Sequence, residues 1–214
     1  MAEPGWDTIR KALEMRPPHM LTDAVSAWAA VALILRQGRG GIELLFIERA
    51  HRSGDPWSGQ IAFPGGRSAP GETDLIRTAI RETREEIGLE LDGEAELLGE
   101  LDRIRAGARL RLFDLAIAPY VFRIDQEAAL ELGDEVQQVH WLALADLLDP
   151  RCQSVHEYRG EGQAVSFPCL RIEPVVVWGL TYRIFKNLRE LIEQHSGGSG
   201  FTHARPSPSG RGPG

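Results

Sequence analysis

Cysteine is nearly absent from this chain: Cys152 and Cys169 are the only two among 214 residues. Two thiols cannot build a disulfide framework, and theirs is not a metal-binding spacing; both are read as structural or incidental small hydrophobes. An excess of basic charge is missing as well. Lys and Arg number 24 against 31 Asp and Glu, a net charge of -7, which argues against the basic stripe of a nonspecific nucleic-acid binder. No apolar run is long enough to span a bilayer, and the N-terminus, with Glu3, Asp7 and Lys11, lacks the basic start and apolar centre of a secretory signal. Neither nucleic acid nor membrane is an expected partner, and the expected compartment is the cytoplasm. Internal repeats are not evident.

What is present suits one globular domain: 43% hydrophobic and 26% charged residues in a chain long enough for a sizeable core. Residues 1–24 read as a short helix, ended by Pro17-Pro18, and a lead-in. Residues 25–195 read as the main domain, and 196–214, rich in Gly, Ser and Pro, as a disordered tail. Within the domain, strands are expected at 26–36 and 42–49 around a Gly38-Arg39-Gly40-Gly41 hairpin turn. Others are expected near Ile61 and over 97–104, 112–122 and 136–141. A short helix is expected over 143–148, irregular or β structure over 155–172, and a closing helix over 176–195. Strands, a helix, strands and a final helix make an α+β mixed sheet flanked by helices.

The most informative segment is residues 66–89, GRSAPGETDLIRTAIRETREEIGL, where Arg81, Glu82, Glu85 and Glu86 crowd one helix behind a glycine-rich turn. Thr73 and Asp74 are candidate caps, Gly88 is a candidate terminator, and Leu75, Ile76, Ala79, Ile80, Thr83 and Ile87 form the apolar stripe. At about 100° per residue the acidic arc abuts that stripe, so the carboxylates sit at the edge of the core, facing a cleft. Arg81 is spaced to pair with Glu85. Acidic runs on helices are often solvated faces. This one follows residues 60–67, QIAFPGGR, where a strand breaking at Pro-Gly-Gly lets backbone approach a ligand and offers carbonyls to an ion. Carboxylates in such numbers want a counter-charge, and Mg²⁺ or Mn²⁺, completed by substrate phosphate oxygens, supplies it.

These residues resemble the Nudix box of diphosphate hydrolases acting on nucleoside diphosphates linked to another group. Gly66, Glu72, Arg81, Glu82, Glu85, Glu86, Gly88 and Leu89 match its pattern. The spacer between Glu72 and Arg81 is one residue longer than the family's, and Thr83 stands at a usually apolar position. The long spacer, GQIAFPGG ahead of the box, the strand LLFIERA at 44–50 and Trp178-Gly179-Leu180-Thr181 near the end are similar to the coenzyme A pyrophosphatase branch. The resemblance implies an α/β/α sandwich. Glu82 and Glu86, four apart, are the best metal-ligand pair, with Glu85 a third ligand or a holder of metal-bound water; the resemblance implies that the Gly66 carbonyl completes the coordination, with a small nucleotide as substrate. Glu82 and Glu135 remain alternative general bases.

Arg49, Gln60 and Arg67 are candidate substrate contacts, and Arg81 an orienter of Glu85. Trp57 reads as packing, with adenine stacking the alternative, and Trp141 and Trp178 read as core. The expected reaction is hydrolysis of coenzyme A or acyl-CoA to 3′,5′-ADP and (acyl-)4′-phosphopantetheine. The alternatives are an ADP-ribose or nucleotide-sugar diphosphatase and a non-catalytic nucleotide sensor. Homodimer formation is left open.

Overall fold

Residues 29–35 form an unbroken apolar run, the pattern of a strand covered on both faces. The computed structural model describes residues 4–22, 24–52, 57–106, 114–125, 129–160 and 163–196. In it that run belongs to β1 (Ala27–Gly38), at the middle of the main sheet. The chain turns back into β2 (Gly41–Arg49) with Gly38 opposite Gly41, the expected hairpin. β7 (Leu115–Ile124) lies parallel to β1 from Ala27↔Leu115 to Arg36↔Ile124. The remaining pairs are antiparallel. β5 (Ala95–Glu100) and β6 (Ile104–Ala106) join β7; β3 (Ile61–Ala62) and β8 (Val136–Ala143) join β2; β4 (Gly65–Arg67) joins β1.

Alternate side chains of β1 feed two cores. Ala30, Ala32 and Ile34 meet Leu75, Ala79 and Ile87 of α2 (Leu75–Ile87) on one face. Leu33 and Leu35 meet α1 (Trp6–Glu14), α3 (Leu144–Leu148) and α4 (Gly179–Ser196) on the other, through Ile9, Leu147, Phe185 and Leu188. Burying each Leu or Ile is worth roughly 2 kcal/mol, so both layers hold the sheet in place. This is the expected α+β, α/β/α arrangement.

Two expectations change. The strand expected over 97–104 is two strands, because Pro119 of β7 lies opposite the break and has no N–H to offer the ladder, its carbonyl accepting instead from Leu101 N–H (2.9 Å). Residues 176–178 do not begin the closing helix. With Val175 they make β11 (Val175–Trp178), since consecutive valines favour an extended chain and pair with β10 (Gln163–Ile172). Beside β10 lies β9 (Gln153–Gly160), so of the two alternatives for 155–172 the β one holds, as a hairpin in a separate three-stranded sheet. The strand near Ile61 does break before Gly65-Gly66: β3 ends at Ala62, and after Phe63-Pro64 the glycines open β4. The tail beyond Ser196, where α4 ends, lies outside the described residues. No helix among the described residues is long and apolar enough to cross a membrane.

Candidate active site

α2 is positioned at both ends by its own sequence. Asp74 caps it, accepting from Ile76 N–H (3.1 Å), a bond worth about 1 kcal/mol. Gly88 closes it at φ 67°, its N–H donating to Arg84 C=O (2.9 Å). Thr83, at a position expected to be apolar, is fully buried and returns its hydroxyl to Ala79 C=O (2.8 Å). Residues 131–133 then satisfy carbonyls at the helix end, Glu131 N–H on Ile87 and Gly133 N–H on Glu86, each at 2.9 Å.

β4 brings the glycines against this helix. Gly65 has φ 148°, and a methyl there would lie 2.2 Å from Ala30 C=O, so only glycine fits. Its N–H donates to Glu86 Oε2 (2.9 Å). Gly66 is needed for a different reason: a methyl there would stand 2.4 Å from the Glu82 carboxylate carbon. Gly65 and Gly66 thus form a floor on which the Glu82 and Glu86 carboxylates rest.

The helix carboxylates divide between two environments. Glu86 is 6% exposed, and burial pushes its pKa up to about 7, against the Gly65 N–H bond, with the charges of Glu82 and Glu135 adding to the rise and Arg49 opposing it. Glu85 points the other way, its side chain 58% exposed, to Arg81 (3.1 Å). Arg81 also donates to Glu82 Oε1 (2.8 Å) and Arg67 C=O (3.2 Å) and approaches Glu72 Oε2 (3.4 Å). Burial of the Arg81 guanidinium is outweighed by Glu82, Glu85 and Glu72, which hold its pKa above the ordinary value. Glu72, bonded by Ala69 N–H (2.9 Å), is held below its ordinary value despite some desolvation, with Arg81 contributing. The extra spacer residue is therefore absorbed without removing Glu72 from the cluster.

The remaining candidates spread around this centre. Arg49 ends β2, its backbone bonded to Gln60 C=O and Gly59 N–H (both 3.0 Å), and its charge favours ionised Glu86. Gln60 sits just before β3, while Arg67 ends β4 with its side chain exposed. Exposed Glu135 pairs with Arg52 (3.2 Å). Arg52 was not among the sequence candidates; only its nearness to Arg49 could have suggested it. Trp57, read as packing, is 52% exposed. Trp141 and Trp178 are half-buried rather than core, Trp141 under the Arg36 guanidinium (3.9 Å) and Trp178 among His156, Tyr158 and Phe167.

Residues 26–159 match the NUDIX domain family. The chain is a member of the Nudix hydrolase family. It is 33% identical to the human "Mitochondrial coenzyme A diphosphatase NUDT8", across 78% of this chain and 70% of that protein. It is 39% identical to "Uncharacterized protein C14C4.10c" of Schizosaccharomyces pombe, across 52% of this chain and 35% of the relative. It is 35% identical to "Nudix hydrolase 3" of Caenorhabditis elegans, across 59% and 51%. The chain thus spans about a third to 70% of the length of these relatives.

In this Nudix chain, no group of three or more His, Cys, Asp or Glu side chains among the described residues is gathered as a ready-made metal site. The residues nonetheless fit a divalent cation. Glu82 and Glu86 rest on Gly65-Gly66, in a cradle that a single methyl at Gly66 would fill. Glu86 is a buried carboxylate raised partly by other carboxylates, the electrostatic situation that a cation relieves. Mg²⁺ needs few protein carboxylates, because it keeps waters and takes phosphate oxygens.

Proposed function

We propose that this chain hydrolyses the diphosphate bond of coenzyme A or acyl-CoA, giving 3′,5′-ADP and (acyl-)4′-phosphopantetheine, with Mg²⁺ or Mn²⁺. The observation that carries the reading is the pair of carboxylates, Glu82 and buried Glu86, resting on the Gly65-Gly66 backbone. The coenzyme A part is supported by the human relative's name and by identity over most of both chains.

Glu82 and Glu86 would hold the cation, with the Gly66 carbonyl as third donor; Glu85, also expected as a ligand, turns outward to Arg81 instead. A bound cation supplies positive charge to the diphosphate oxygens and makes water more acidic. Glu86, whose pKa is raised to about 7 without a cation, would bind the cation in competition with a proton, so cation affinity should rise with pH. Arg81, shared among Glu72, Glu82 and Glu85, fixes the Glu82 rotamer. Arg49, whose charge favours ionised Glu86, is assigned to substrate together with Gln60 and Arg67. Glu135 stays an alternative base to Glu82.

The test is a substrate panel of coenzyme A, acetyl-CoA, ADP-ribose and a nucleotide sugar, each with Mg²⁺ and Mn²⁺, resolved by anion-exchange chromatography. Appearance of 3′,5′-ADP from coenzyme A is the expected result. Intact coenzyme A beside consumed ADP-ribose transfers the assignment to an ADP-ribose diphosphatase.

A further inference from the structure

The floor under Glu82 and Glu86 pairs with β1 at Val31↔Gly65 and Ala30↔Gly66, but the strand leading into it is weakly held. β3, which delivers the chain to it, is two residues long and pairs only at Ile47↔Ala62 and Glu48↔Ile61. From the opposite end of the sequence, Thr181 in the first turn of α4 donates its hydroxyl to Ile61 C=O (2.9 Å). Between that carbonyl and Gly65 lie three residues, of which Ala62 pairs with Ile47 and the next two are held by the main sheet. Phe63 stacks on Phe46 with ring centroids 4.8 Å apart, Pro64 C=O accepts from Ala32 N–H (2.8 Å), and Gly65 N–H meets Glu86. Upstream, Gln60 C=O holds Arg49 N–H. α4 is a firm anchor, since Ile184, Phe185 and Leu188 are at most 3% exposed.

We infer that Thr181 is a positioning residue for the diphosphate site: its hydroxyl clamps β3 to α4 and so sets the height of Gly65-Gly66 beneath Glu82 and Glu86. The inference rests on the metal-dependent reading above, and it acts through backbone rather than by touching substrate. Thr181→Val keeps the side-chain volume and removes the donor; Thr181→Ser keeps the donor.

The experiment measures Mn²⁺ binding to the full chain without substrate, by titration calorimetry, and exchange of the Ala32 and Gly65 amides by NMR. Thr181→Val is expected to weaken Mn²⁺ about tenfold, the equivalent of one lost hydrogen bond, and to speed exchange at Gly65. Thr181→Ser restores both. Thr181→Ala, which adds no second methyl against the Ile61 carbonyl, carries the same expectation should Thr181→Val not fold. Asn187→Ala serves as a control, because it loosens α4 at Asp102, away from β3. If Thr181→Val and Thr181→Ala bind Mn²⁺ like the parent, or if Asn187→Ala weakens it equally, the clamp is refuted. A parent protein that binds Mn²⁺ but cleaves no diphosphate overturns the proposed reaction and leaves the clamp standing.

Discussion

In the absence of divalent cation, Glu86 should make this protein less stable as pH rises. The carboxyl is 6% exposed and its pKa lies at about 7, against an ordinary value of 4.5. The folded state therefore holds this proton more tightly than the unfolded chain between about pH 4.5 and 7, so stability falls across that window and is level above it. Each pH unit of separation is worth about 1.4 kcal/mol, giving a total near 3 kcal/mol. Glu86→Gln keeps an acceptor for Gly65 N–H but cannot ionise. Urea unfolding with chelator at pH 5, 6, 7 and 8 should show the variant overtaking the parent, until it leads by about 3 kcal/mol at pH 8. Asp102 and Glu72, held below their ordinary values, titrate alike in both proteins and cancel in the difference. Saturating Mg²⁺ should recover stability in the parent and not in the variant. Parallel stability curves for the two proteins from pH 5 to 8 would refute the argument.

Gly66→Ala should fold with nearly parental stability, because its backbone conformation suits any residue and the obstacle is one flexible side chain; yet its added methyl lifts Glu82, so hydrolysis should drop by about tenfold or more. Thermal melting beside a rate assay separates the two. Gly65→Ala meets backbone at 2.2 Å with φ 148°, and should lose more than about 2 kcal/mol in urea unfolding. Asp102→Ala removes the acceptor shared by Arg16 (2.7 Å), His19 N–H (2.7 Å) and Asn187 (3.1 Å), and should lower the melting temperature without changing the Mn²⁺ affinity.

The layers were legible because their signals are local. The apolar run of β1, the helical stripe of α2 and the Gly38–Gly41 turn each settle 13 residues or fewer, and neighbours only reinforce them. The errors fell where a distant partner decides. Nothing near residues 97–104 indicates that Pro119 will lie opposite and starve the ladder of a donor. The valines at 175–177 have helical-looking neighbours on one side and become a strand because β10 is there to pair with them.

The site shows the same limit at a finer scale. Spacing places Glu82, Glu85 and Glu86 on adjacent arcs of one helix, and to that extent they look interchangeable. What separates them is where other segments press. β4 meets the Glu86 carboxylate through Gly65 N–H, while Arg81 draws Glu85 outward and steadies Glu82 between the two. A shared motif therefore carries carboxylates in distinct surroundings: one buried with its pKa raised, one held over a glycine by an arginine, one turned to solvent and paired with that arginine. Exchanging their surroundings rather than their identities would alter the chemistry. That is why the glycines and Arg81, which carry no reacting group, are expected to matter to the rate as much as the acids they seat.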